Sequence, residues 1–160
     1  RRSSDLMRKF LLLALLMLAS ISISAITIEN QKRYEKLRSE LLSINKTEQL
    51  TEWDMLILAI CWQESRFIKP TNENFHGYMQ ISRIYVKEVN RLASTNYTYD
   101  DAHSFRKSVD MHNLMNKHKN PNKDVMKALR IHNPKTAYHN SVLTKLKVIK
   151  EYESNRNNGG

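Results

Sequence analysis

One run of residues constrains this chain more than any other. From Trp53 to Phe67, side chains recur at steps of three and four: Trp53, Ile57, Ile60, Glu64, Phe67. All but one are apolar. Thr51-Glu52-Trp53-Asp54 has the form of a capping box, and Pro70 lies just beyond the far end, so the spacing predicts a helix over about 52–67. On that helix Glu64 shares its face with Ile60, Cys61, Phe67 and Ile68. It occupies the apolar stripe, where a carboxylate is expensive. Ser65 follows, and after a short gap comes Gly77-Tyr78-Met79-Gln80-Ile81. Gly77 is the only glycine before the two that end the chain. A chain so poor in glycine uses one where the backbone needs positive φ or close approach. A costly acid near a singular glycine reads as a site. A structural glutamate bound to Arg66 is the alternative on spacing alone.

The remaining pattern is helical. A charged amphipathic helix is expected over 29–45, with Tyr34, Leu37, Leu41 and Ile44 on one face. Others are expected over 82–92 (Ile84, Tyr85, Val89, Leu92), 102–119 (Phe105, Val109, His112, Met115), 123–132 and 141–152. Asn96 to Asp101 reads as a turn-rich loop and Asn155 to Gly160 as a frayed tail. Strand alternation is lacking, with room only for a small β-hairpin in the 70s. The class is mostly α. The expected organisation is upstream residues and a signal peptide over 1–25, the amphipathic helix within 26–50, one domain over 51–152, and a flexible tail over 153–160.

The N-terminus bears on location. Arg8-Lys9 precedes the leucine-rich run Phe10–Ala19, and Ser20-Ile-Ser-Ile-Ser-Ala25 offers small residues for cleavage. Met7 reads as the initiator. Cleavage after Ser24 or Ala25 would release a secreted or periplasmic protein. The alternative is an uncleaved membrane anchor through residues 10–28, which is just long enough to span a bilayer. The net charge is +10, and the chain stays basic without residues 1–25. Basic proteins favour anionic partners. For an exported one, peptidoglycan and its attached polymers are a better class than nucleic acid. Cys61 is the only cysteine, so an intramolecular disulfide is excluded.

Burial disfavours an ionised carboxyl, and a carboxylic acid that keeps its proton can act as general acid in glycosidic cleavage. The surrounding residues agree with that chemistry. Cys61-Trp-Gln-Glu-Ser-Arg-Phe67 followed by Gly77-Tyr-Met-Gln-Ile81 resembles the signature of lytic transglycosylase domains, in the lysozyme-like group that includes goose-type lysozymes. The family pattern is a Glu-Ser pair closing a helix, a short loop, then Gly-Leu-Met-Gln. Tyr78 stands where leucine is usual. A later Ala-Tyr-Asn element corresponds to Ile131-His132-Asn133, with histidine in place of tyrosine, and Tyr138 could supply the aromatic that follows. The resemblance covers about Thr51 to Tyr152.

It implies a lysozyme-like helical domain that cleaves peptidoglycan without water, leaving a 1,6-anhydro-muramic acid end. Glu64 would be the catalytic acid/base. Ser65 would hold it or contact the acetamido group. Gly77 would let the backbone approach the sugar, with Tyr78, Met79 and Gln80 lining the cleft beside Glu64. His132, Asn133 and Tyr138 would shape the opposite wall. A hydrolytic muramidase of the same fold and a non-catalytic wall-binding or assembly protein are the alternatives. The expected partner is the peptidoglycan glycan strand, met by a monomer that could also touch envelope, secretion or phage machinery transiently. No cofactor or metal is expected. His112 with His118, and His132 with His139, lack zinc-motif spacing, and there is no His-Glu-x-x-His. Cys61 reads as core, and the basic residues of 117–150 as a solvated face.

Overall fold

A computed structural model describes residues 31–69 and 74–158. The proposed signal segment therefore lies outside the described residues. Among the described residues the protein is mostly helical, with one small two-stranded antiparallel sheet. The elements are α1 (31–45), α2 (Glu52–Ser65), β1 (Phe75–His76), β2 (Ile81–Ser82), α3 (Arg83–Ala93), a 3-10 turn (Tyr99–His103), α4 (Phe105–Lys119), α5 (Val125–His132) and α6 (Thr136–Asn158). No described helix is long and apolar enough to cross a membrane.

Helix α2 is the centre. Leu56, Ile57, Leu58, Ala59, Ile60 and Cys61 are all fully buried, on every face of the helix. A helix that is apolar all round can be stable only when others surround it. Thr51 caps its start as expected. Thr51 Oγ1 accepts from the Asp54 amide, and Asp54 Oδ2 accepts from the Thr51 amide at 2.8 Å. The end differs from expectation. The helix stops at Ser65, because Arg66 and Phe67 both adopt left-handed backbone, at φ 51° and 57°. The Arg66 amide reaches back to the Trp62 carbonyl at 3.0 Å, closing the last turn. Phe67 is buried, while Ile68, expected beside Glu64, is exposed.

Helix α6 packs along α2, and α1 closes over the pair. Tyr34, Leu37 and Leu41 of α1 are buried, and the Tyr34 ring meets Phe67 and Tyr152 edge-on at 5.8 and 5.5 Å. The flexible tail expected over 153–160 is corrected: α6 continues through Asn158. Glu153 is buried against Arg38 and Tyr34, and Arg156 pairs with Glu35 at 2.6 Å. Those contacts, within about one turn of the expected helix end at Tyr152, hold the helix together. Helix α3 turns Tyr85, Val89 and Leu92 of its expected face inward, and departs from it only at Ile84. Tyr85, Val86 and Val89 are buried, whereas Ile84 is 80% exposed.

The hairpin expected in the 70s is present, with Phe75 opposite Ser82 and His76 opposite Ile81. Residues 77–80 form its turn. Gly77 has φ 75°, and a Cβ there would fall 1.9 Å from the Ala102 carbonyl oxygen. The hairpin therefore lies directly against the 3-10 turn, and only glycine permits that distance.

Candidate active site

The chemistry converges at the C-terminal end of α2. Glu64 sits on the last turn of the buried helix, its side chain 19% exposed. Its Oε1 lies 3.4 Å from His132 Nε2, at the end of α5, and the His132 side chain is 4% exposed. Tyr138 from α6 stacks on the His132 ring at 6.0 Å and 19°, and Tyr85 from α3 meets it edge-on at 6.0 Å. His112 from α4 completes the ring of neighbours at 6.3 Å. Five helices thus each contribute one polar side chain to a single cluster.

The cluster has an unusual hydrogen-bond balance. Tyr85 Oη, His112 Nδ1 and His132 Nδ1 are buried and make no hydrogen bond within the protein, and the buried Tyr138 Oη has only the neighbouring Glu64 carboxyl to turn to. Buried polar side-chain atoms nearly always find a partner. Every such orphan among the described residues belongs to the aromatic neighbourhood of His132. Burial and the adjacent Glu64 carboxylate push the Tyr138 hydroxyl well above the usual tyrosine range, so it keeps its proton. Burial, with His132 beside it, lowers the His112 imidazole to about 3. His112 is therefore neutral, and the cluster presents hydroxyl donors and imidazole nitrogens around one carboxyl.

The other sequence-derived residues take positions that are partly supportive and partly structural. Ser65 Oγ lies 2.8 Å from both the Cys61 and Tyr78 carbonyls, tying the end of α2 to the hairpin turn. It orients the segment after Glu64. The close approach that Gly77 permits is to Ala102, so its visible role is to seat the hairpin. Met79 is fully buried and packs in the core. Tyr78 is half-buried, edge-on to Phe105 at 5.8 Å. Gln80, at φ 48°, donates from Nε2 to the Gly77 carbonyl at 2.7 Å. Asn133 serves the turn after α5: its Oδ1 accepts from the Lys135 amide at 3.1 Å, and His139 Nε2 lies 2.7 Å from its carbonyl. Arg66, Phe67 and Gln80 each hold left-handed backbone, a conformation that costs non-glycine residues about 1–2 kcal/mol. Lys46, Ser94 and Lys123 hold it as well, so the conformation by itself does not mark this site.

Sequence reasoning missed two members of the cluster. Tyr85 and His112 fall on apolar helix faces, where a hydroxyl or imidazole reads as core. It also missed a polar group beside Glu64, in which Gln63 Oε1 accepts from Ser141 Oγ and, at 2.9 Å, from Lys145 Nζ. A hydrolytic glycosidase usually needs a second carboxylate, for which the sequence offers Glu73, Asp100, Asp101 and Asp110. Asp101 caps the 3-10 turn and pairs with Lys107 at 2.6 Å. Asp100 lies beside His76 and His103. Asp110 is raised by burial, with Arg106 opposing. Glu73 lies outside the described residues. No family model, curated protein or solved structure matches this chain.

Proposed function

We propose that this chain is an exported peptidoglycan-cleaving enzyme of lytic transglycosylase type, with Glu64 as its single acid/base. One observation carries the reading. Glu64 closes the buried central helix, reaches solvent, and abuts His132, around which Tyr85, His112 and Tyr138 gather with buried polar atoms that the fold leaves largely unpaired. A structural glutamate has no use for such neighbours; an acid that must change protonation state during a reaction does.

Glu64 protonates the glycosidic oxygen between N-acetylmuramic acid and N-acetylglucosamine, and the bond to the anomeric carbon breaks. The resulting carboxylate takes the proton from the muramic acid 6-hydroxyl. That oxygen closes onto the anomeric carbon and forms the 1,6-anhydro ring. No water is consumed, and Glu64 ends protonated as it began. The nucleophile belongs to the same sugar, so proximity replaces a second catalytic carboxylate. His132, 3.4 Å from Glu64, steadies the carboxylate form, and the Tyr138 hydroxyl remains a donor toward it. The positive charge of the chain favours approach to an anionic wall.

The test is product mass. The full chain is incubated with purified peptidoglycan, and soluble fragments are weighed by mass spectrometry. The expected fragments end in anhydro-muramic acid, lighter by one water than hydrolytic products. Reducing-end fragments would replace this reading with a muramidase. No fragments from folded protein on several peptidoglycan types would replace it with a wall-binding protein.

A further inference from the structure

We propose that His76, Asp100 and His103 form a binding site for a divalent transition-metal ion of the zinc class, which braces the hairpin against the 3-10 turn. Gly77 is what brings these residues together. Its positive φ and its closeness to the Ala102 carbonyl bring β1 against the turn that carries Asp100 and His103. One ring nitrogen from each histidine and a carboxylate oxygen of Asp100 then lie within 4.8 Å of one another. The residues come from two separate segments, so no local spacing announces them.

The geometry around His76 is that of an oriented ligand. Its ring is buried between Tyr99, at 3.7 Å and 19°, and His103, at 4.0 Å and 24°. Its Nδ1 lies 3.2 Å from the Tyr99 carbonyl. A carbonyl only accepts, so Nδ1 carries the proton and Nε2 holds the lone pair. Metal-binding histidines are commonly fixed in this way by a backbone carbonyl on the other nitrogen. Two imidazoles and one carboxylate suit zinc, cobalt or nickel better than magnesium or calcium, which favour all-oxygen sets. In a tetrahedral zinc site the ligand atoms stand about 3.3 Å apart. Closure from within 4.8 Å asks the half-buried His103 ring to turn out of its stack on His76, so that both in-plane lone pairs converge, and the exposed Asp100 to move in. Arg83 does not compete, since its guanidinium lies over the Tyr99 ring at 4.2 Å. Lys69, whose charge is felt at His103, weakens the site without closing it.

The consequence is mechanical. The hairpin turn supplies the Tyr78 carbonyl that holds Ser65, next to Glu64. An ion joining β1 to the 3-10 turn stiffens that turn. The inference does not rest on the catalytic reading, and its readout is metal binding.

The untagged full chain, stripped with chelator, is titrated with zinc against a chromogenic chelator and with cobalt by visible absorption. One ion per chain should bind with micromolar or tighter affinity, and zinc should raise the melting temperature. His103→Ala should weaken binding on the order of 100-fold and abolish the thermal shift. Asp100→Ala, at an exposed side chain, should weaken it on the order of 10-fold while the folded spectrum is kept. His118→Ala, on an exposed histidine of α4, should change nothing. Failure of the parent to bind zinc or cobalt, or equal affinity in His103→Ala and Asp100→Ala, overturns the proposal.

Discussion

Two glutamates lie inside this molecule, each beside a tyrosine and a basic side chain, and the fold treats them in opposite ways. Glu153 accepts from Tyr34 Oη at 2.7 Å, and from Arg38 Nε and Nη2 at 2.8 Å each. Burial alone would raise its carboxyl, but Arg38 and Tyr34 outweigh burial and hold it below the usual range. It is an anion with every need met, joining α1 to α6. Glu64 has His132 at 3.4 Å and the Tyr138 hydroxyl near it, and Tyr85 Oη, His112 Nδ1 and His132 Nδ1 in the same group are left without partners. A folded protein can afford an unsatisfied group in one place, and it tends to be where chemistry happens. The difference separates a carboxylate that fastens helices from one held ready to exchange a proton.

Paired substitutions can break this comparison. Glu64→Gln should lower the rate of peptidoglycan cleavage by about 10² to 10⁴ or more, since it keeps volume and removes the transferable proton. Its unfolding free energy should change by no more than about 1 kcal/mol, because the Gln amide oxygen can still accept from His132 and the Tyr138 hydroxyl. Glu153→Gln should do the reverse. It leaves Arg38, whose side chain is 11% exposed, without its counter-charge, and should destabilise by about 3–5 kcal/mol. Cleavage per folded molecule should be unchanged. Urea titration and a turnover assay on both variants decide the matter. If Glu64→Gln unfolds and Glu153→Gln loses turnover, the roles assigned here are reversed.

The sequence made the fold class and the position of the acid legible, and left its surroundings dark. The capping box at Thr51, the run ending at Glu64 and the isolated Gly77 are local signals, set by spacing and by what glycine alone can do. The order of helices and the hairpin followed from them. The left-handed stop at Arg66 was not visible, because arginine carries no preference for that backbone and the turn is imposed by packing Phe67. Ile84 and Tyr85 are adjacent, and composition cannot say which one faces inward; here Tyr85 does. The length of α6 was hidden for a similar reason. Glu153 and Arg156 look like solvated charges until Arg38 and Glu35 of α1 are brought opposite them. Tyr85 and His112 as neighbours of His132, and His76 beside His103, are products of tertiary proximity.

The contrast can be sharpened by pH, since its two sides should fail in different windows. His112 belongs to the unpaired cluster, fully buried against His132 and Trp53. Burial lowers its imidazole to about 3 in the folded chain, against about 6.5 when unfolded. Between those values the unfolded chain binds a proton there and the folded chain does not. Stability therefore falls as pH drops from 6.5 toward 3, by about 1.4 kcal/mol per pH unit from this group. His103 is lowered in the same sense but is more exposed, so its share is smaller. The Glu153 side cannot contribute until lower pH. Its folded carboxyl lies below the unfolded value of about 4.5, so its stabilisation is intact above 4.5 and is lost only as pH falls further. Between pH 6.5 and 4.5 the loss should come mainly from His112, with a smaller share from His103. His112→Phe keeps an aromatic ring against Trp53 and removes the titration. Urea unfolding at pH 6.5, 5.5 and 4.5 should show the parent losing roughly 2–3 kcal/mol more than this variant across that interval. Parallel curves would mean that His112 is protonated in the fold, and that the cluster around Glu64 already carries the charge it is inferred to exclude.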